Sequence, residues 1–135
     1  EILAPGRAAR GEYFVFENLD WTCNVRYGAE LILRERFQLN ARNGSLFAFQ
    51  SPIKNAWFAS GMVISHRLGS QENLLSRIRS LNEDQVRVGI SPLNDDCWTV
   101  RLLASNGLLL RKTIALLRTH LSEILPELNT QCRGL

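Results

Sequence analysis

The chain has 135 residues, of which 45% are apolar and 21% charged, with a formal net charge of +3. That is enough chain for a real core, and the composition excludes a disordered tail, a collagen-like fibre or a multi-domain enzyme, so a single domain over 1–135 is expected. The positive balance comes from 14 Arg and 2 Lys dispersed along the chain, a weak field that argues against nucleic-acid binding and suits ion pairs and protein interfaces.

From Tyr13 to about Leu39 apolar residues recur at every second position, the spacing of half-buried strands. Tyr13 and Val15 share a face, as do Trp21, Cys23, Val25 and Tyr27, with Thr22, Asn24 and Arg26 opposite. A joint between two strands is expected at 18–20. Gly28-Ala29-Glu30 then reads as a tight turn returning the chain as an antiparallel hairpin. The returning strand puts Leu31, Leu33, Phe37 and Leu39 on one face and Ile32, Arg34, Arg36 and Gln38 on the other, which leaves Glu35 as a carboxylate on the apolar face. Unpaired buried charge is costly, so Glu35 reads first as a partly buried acid held by an Arg or by backbone donors. The sharper alternative is a polar lining of an internal passage or an interface.

Turn clusters follow at 41–45 and 50–52, with room between them for a short strand at 46–49. The run 56–64 is apolar on both faces and reads as a central strand, with the deepest burial of the sheet expected there. At Ser70 the period changes. Ser70 can cap a helix over about 71–82, Glu72 lies near its positive end, Leu74, Leu75, Ile78 and Leu81 form one stripe, and Arg77 and Arg79 face water or a partner.

Residues 85–91 alternate again with Val86, Val88 and Ile90 inward, and Pro92 is expected to stop that strand. Asn94-Asp95-Asp96 is turn-prone, so a second hairpin leads to a strand with Trp98, Val100 and Leu102 inward. Asn106 is the expected cap of a final helix over about 108–125, whose seam is Leu110, Ile114, Leu117, Leu121 and Ile124, with Pro126 ending it. The remainder from Glu127 is expected to fray. This order predicts a mainly antiparallel α+β domain with two helices on one face of the sheet.

No apolar run reaches the roughly 18 to 20 residues of a membrane-spanning helix, and the first ten residues lack the pattern of a secretory signal. Cys23, Cys97 and Cys132 form no metal or disulfide pattern. These features predict a soluble, cytoplasmic protein with reduced thiols. No nucleophile elbow, phosphate-binding loop or zinc-helix motif is present. Cys97, beside Asp95 and Asp96 and with His66 or His120 brought near by folding, is the one candidate thiol for a small cysteine-dependent hydrolase. The plainer reading is a small apolar residue next to Trp98. A nickel or zinc site from His66, His120, Cys and carboxylates is a second candidate, weighed against ordinary surface histidines, with His120 three residues from Glu123. At the start, Gly6 and Gly11 can take positive φ, and Arg7 or Arg10 can pair with Glu12 or Glu1, as a rigid turn or an interface.

Several segments resemble one family. Glu1-Ile2-Leu3 with Gly6-Arg7-Ala8-Ala9-Arg10-Gly11-Glu12-Tyr13-Phe14 is similar to a segment of the urease accessory protein family UreD, also called UreH. So are Leu31-Ile32-Leu33-Arg34-Glu35-Arg36-Phe37-Gln38-Leu39, Gly89-Ile90-Ser91-Pro92-Leu93, and Thr99-Val100-Arg101-Leu102-Leu103-Ala104 leading into a closing helix. Members are longer, and the chain resembles their C-terminal half, without the Pro-Arg-x-Trp ending often seen there.

The resemblance implies a non-enzymatic maturation factor. Such a scaffold binds urease structural subunits, recruits UreF and the GTPase UreG, and passes nickel as transient cargo without a tightly bound cofactor. It implies stacked strands like a β-helix with two helices packed on one face. It also implies that Arg7, Glu12, Glu35 and Arg101 are pattern polar positions and Gly6 and Gly11 pattern turn glycines, with Glu12 and Glu35 near an internal path. It supplies no nickel ligand. The alternatives from the residues alone are the Cys97 hydrolase and a weak nucleic-acid binder. An exposed sheet edge predicts self-association.

Overall fold

The computed structural model of the chain describes residues 2–3, 10, 17–40, 53, 56–69 and 71–129. They fall into two compact units, one formed by Glu1–Ala4 with Ile53–Leu135 and the other by Pro5–Pro52. The expected elements at 13–16, the turns at 41–45 and 50–52, and the strand at 46–49 lie outside the described residues.

In the unit Pro5–Pro52, β2 (Asn18–Tyr27) and β3 (Glu30–Asn40) pair antiparallel through a two-residue turn at Gly28-Ala29. Gly28 has φ +59°, a left-handed conformation that costs a residue with a Cβ. Burial along β2 alternates as its sequence does, with Leu19, Trp21, Cys23 and Val25 half-buried and Asp20, Thr22 and Asn24 exposed. Residues 18–20 belong to β2 itself, so the expected joint there is wrong: Asn18, Leu19 and Asp20 face Asn40, Leu39 and Gln38 in register. Tyr27, expected inward, is 68% exposed, because the register slips between Val25 and Arg26 and breaks the alternation before the turn.

In the other unit four strands form one sheet in the order β1-β4-β6-β5, all neighbours antiparallel: β1 (Ile2–Leu3), β4 (Trp57–Ile64), β5 (Val86–Asn94) and β6 (Cys97–Ala104). Two helices, α1 (Glu72–Arg79) and α2 (Gly107–Leu121), cover one face, and a 3-10 helix follows at Pro126–Asn129. The fold is therefore α+β with antiparallel sheets and two helices. Among the described residues the strands make no closed or curled, β-helix-like barrel.

The core sits between the helices and the inward side chains of β5 and β6. Val86, Val88 and Ile90 meet Trp98, Val100, Leu102 and Ala104 across the ladder, and Leu74, Leu75, Ile78, Leu110, Leu117 and Leu121 close over them. Each of these larger apolar side chains contributes about 1.5–3 kcal/mol by leaving water. The deepest burial lies on β6 and not, as expected, on the 56–64 strand. In β4 only Ala59 is fully buried, because the helix-facing side opens beside Gly61, where a Cβ would meet nothing within 4 Å.

Pro92 does not stop β5, which runs on to Asn94 with an irregularity between the two. The strand is at the edge of the sheet, where the missing N–H of Pro92 leaves no ladder bond unmade. The following turn holds Asp95 and Asp96, and the Asp96 N–H donates to Asn94 Oδ1 at 2.9 Å, an Asx turn.

The cap position of α1 is Gln71, whose side chain makes no cap bond; the expected cap Ser70 lies outside the described residues. In α2 the expected cap holds: Asn106 Oδ1 accepts from the Leu109 N–H at 2.9 Å. The Trp57 ring lies 3.2 Å from where a Cβ would stand on Gly107, so a glycine lets the helix begin against it. The helix stops at Leu121, short of Pro126, and Pro126 opens the 3-10 helix instead of ending α2. Leu128 packs on the core, so the described residues Glu127–Asn129 are docked and not frayed, and the rest of that expected tail lies outside the described residues.

Candidate interaction surfaces

The solvent face of the β2–β3 hairpin is a ladder of paired polar side chains. Arg36 Nη2 donates to Asp20 Oδ2 at 3.0 Å, and Gln38 Nε2 donates to the same oxygen at 2.7 Å. Further along, Arg34 Nε donates to Asn24 Oδ1 at 2.8 Å. The Arg36 guanidinium and then the Gln38 amide hold the Asp20 carboxyl below its ordinary range, and Asp20 in turn raises Arg36. The alternation of polar residues was visible in the sequence; the diagonal pairing of Asp20 with Arg36 needs the observed register. On the opposite face Glu35 is half-buried and stands directly across from Cys23.

In the larger unit charged side chains join separate elements. Arg77 Nη2 on α1 reaches Glu123 Oε2 at 2.5 Å, and His120 Nδ1 lies 3.9 Å from the other oxygen of Glu123. Arg67, in the turn after β4, reaches Glu127 in the 3-10 helix at 2.9 Å. His66 Nδ1 lies 3.0 Å from Asp96 Oδ2, beside backbone bonds from Ser65 to Asp96 and from Gly69 to Asp95. Arg77 first, and His120 more weakly, keeps the Glu123 carboxyl below the usual carboxylate range. These contacts fasten elements of the unit together.

The edge of the sheet at β5 is partly closed by a side chain the sequence did not single out. Asn82 accepts from the Val88 N–H at 2.9 Å and donates to the Val88 carbonyl at 3.1 Å, standing in for a neighbouring strand. Arg87 Nη1 donates to the Glu83 carbonyl on the same edge.

An apolar groove of about 600 Å³ opens between β4 and α2, with Gly61 in its floor and Ile114, Leu117, Leu121, Leu125 and Leu128 along its walls. Arg118 Nη2 donates to the Leu128 carbonyl at 3.0 Å and so pins the 3-10 helix at the end of this groove.

Of the residues singled out in the sequence, Gly6, Arg7, Gly11 and Glu12 lie outside the described residues. Glu35 is on β3 in one unit and Arg101 is exposed on β6 in the other, opposite Ser60 and Gly89. Cys97 is 1% exposed, and burial pushes its thiol pKa up. That is the reverse of what a cysteine nucleophile needs, since the thiolate is the reactive form. His66 turns to Asp96 and His120 to Glu123, and among the described residues no three or more His, Cys, Asp and Glu gather as a metal set. No helix among the described residues is long and apolar enough to cross a membrane.

A family model described as UreD urease accessory protein matches residues 1–132. The urease accessory protein UreD of Opitutus terrae is 28% identical over 134 residues, covering 98% of this chain and 49% of that protein. The chain thus spans about half the length of the curated relative it matches. No solved structure matches it. With nearly the whole chain inside the family match, this chain belongs to the UreD urease accessory protein family.

Proposed function

We propose that this chain acts in the maturation of urease as a non-catalytic scaffold, forming the C-terminal part of a longer UreD protein. Its task is to hold urease structural subunits together with UreF and UreG while nickel, as transient cargo, reaches the urease active site. The observation that carries this reading is the family match across residues 1–132. It is supported by charged residues that tie elements together instead of converging on a reaction centre, and by a buried Cys97.

In this reading the protein works in the cytoplasm and binds no nucleic acid, Glu12 and Glu35 are polar positions near an internal path, Arg7 and Arg101 are further polar positions of the family pattern, and Gly6 and Gly11 are its turn glycines. An open sheet edge also lets two copies associate. Among the described residues no strand pairs with the outer side of β1, whereas Asn82 occupies part of the β5 side, so the β1 side is the one proposed for this contact.

The test is co-expression of the tagged chain with urease structural subunits, UreF and UreG, followed by affinity purification. Retention of UreF and urease subunits at defined stoichiometry is expected. Recovery of the tagged, folded chain without any of them contradicts the scaffold role. Sedimentation at high concentration checks the association of copies, and a strictly monomeric species contradicts it.

A further inference from the structure

The side of α2 turned away from the sheet carries Leu108, Arg111, Lys112, Ala115, Leu116 and Thr119, all exposed. Leu108 and Leu116 keep 65% and 51% of their surface in solvent, while Leu110, Leu117 and Leu121 on the other side of the helix are buried. With 3.6 residues per turn these six positions fall in one arc of about 140°, and the leucines stand about 12 Å apart along the axis. The Thr119 hydroxyl donates back to the Ala115 carbonyl at 3.1 Å, so its proton is already used.

The charge of this face is one-sided. The sequence of α2, GLLLRKTIALLRTHL, holds no acidic residue, and its first turn lacks the carboxylate that commonly answers the positive end of a helix. Arg111 and Lys112 add two cations in its N-terminal half and make no ion pair among the described residues. Two leucines flanked by unanswered cations match an anionic surface that also carries apolar side chains.

We propose that this face of α2 docks an acidic amphipathic segment of a partner protein, whose apolar side chains rest on Leu108 and Leu116 and whose carboxylates lie over Arg111 and Lys112. A second copy laid α2 against α2 would bring cation against cation. Two leucines are a small anchor for a helix lying in a bilayer surface, which leaves a peptide as the fitting occupant. This surface is separate from the β4–α2 groove and does not depend on the urease reading, because its test needs no urease component.

The experiment measures fluorescence anisotropy of a synthetic helical peptide with leucines flanked by glutamates, titrated with the full chain, beside an isomer with lysines in place of the glutamates. The acidic peptide is expected to bind and the basic one not, with affinity falling as salt rises. Arg111→Glu with Lys112→Glu is expected to weaken the acidic peptide about tenfold and to admit the basic one. Leu108→Ser with Leu116→Ser should abolish binding while circular dichroism stays unchanged.

Equal binding of both peptides, or none by the acidic one, overturns the proposal. So does preferential binding to phosphatidylserine vesicles, or dimerisation that the two leucine substitutions remove, since these make the occupant a membrane or a second copy.

Discussion

Arg77 Nη2 lies 2.5 Å from Glu123 Oε2 and so joins the last turn of α1 to the turn that follows α2, across 46 residues of chain. Both side chains are about half exposed, so the pair is screened and its worth is modest. Its pH dependence has a definite sign. A carboxyl held below its ordinary range stabilises the fold at pH values above that range, and the stabilisation is lost as pH falls through it towards the lowered value. Glu123→Gln is therefore expected to lower the Tm slightly at neutral pH, with the gap to the parent closing in acid. Thermal melts across that range check it, and a gap that stays constant would mean the charge of Glu123 plays no part.

Asn82 gives a second prediction. Its amide meets both the N–H and the carbonyl of Val88, so Asn82→Ala leaves two backbone groups at the β5 edge to water or to another strand. A loss of about 1–2 kcal/mol is expected by urea unfolding. Sedimentation should show more association than in the parent, because an uncovered edge invites pairing. An unchanged midpoint would reduce Asn82 to a bystander.

At the start of α2, Asn106→Ala should cost about 1 kcal/mol and Asn106→Gly only a few tenths, since the side chain satisfies the Leu109 N–H. Chemical denaturation of the two variants side by side makes the comparison. Equal losses would point to the backbone at 106, not the cap bond, as the source.

Cys97 is a negative test of thiol chemistry. Buried, with its pKa pushed up by desolvation, it is expected to resist iodoacetamide at neutral pH in the native protein and to react once urea unfolds the chain. Peptide mass spectrometry distinguishes it from Cys23 and Cys132. Rapid labelling of native Cys97 would reopen the hydrolase reading.

What the sequence made legible follows from how local each signal is. Alternation in β2, β5 and β6 and the seam of α2 repeat within a few residues, so side-chain pattern alone places them. The cap at Asn106 and the turn at Gly28 need only neighbouring atoms. Elsewhere a distant element decides. Pro92 reads as a stop until β5 is known to be an edge, and the apolar 56–64 run reads as deeply buried until the groove beside Gly61 is seen. The links Arg77–Glu123 and Arg67–Glu127 and the clamp of Asn82 on Val88 depend on packing that no spacing rule encodes. Of the pattern positions, only Glu35 and Arg101 lie among the described residues.

The role proposed for this chain is to hold partners in place while urease receives nickel. It is tested most directly by the nickel content and activity of urease purified from cells carrying urease structural subunits, UreF and UreG, with or without the gene that encodes this chain. Without the gene, urease subunits are expected to accumulate at normal levels but to carry little nickel and little activity, and a gene bearing Cys97→Ala is expected to restore both. Fully metallated, active urease in the absence of the gene would contradict it.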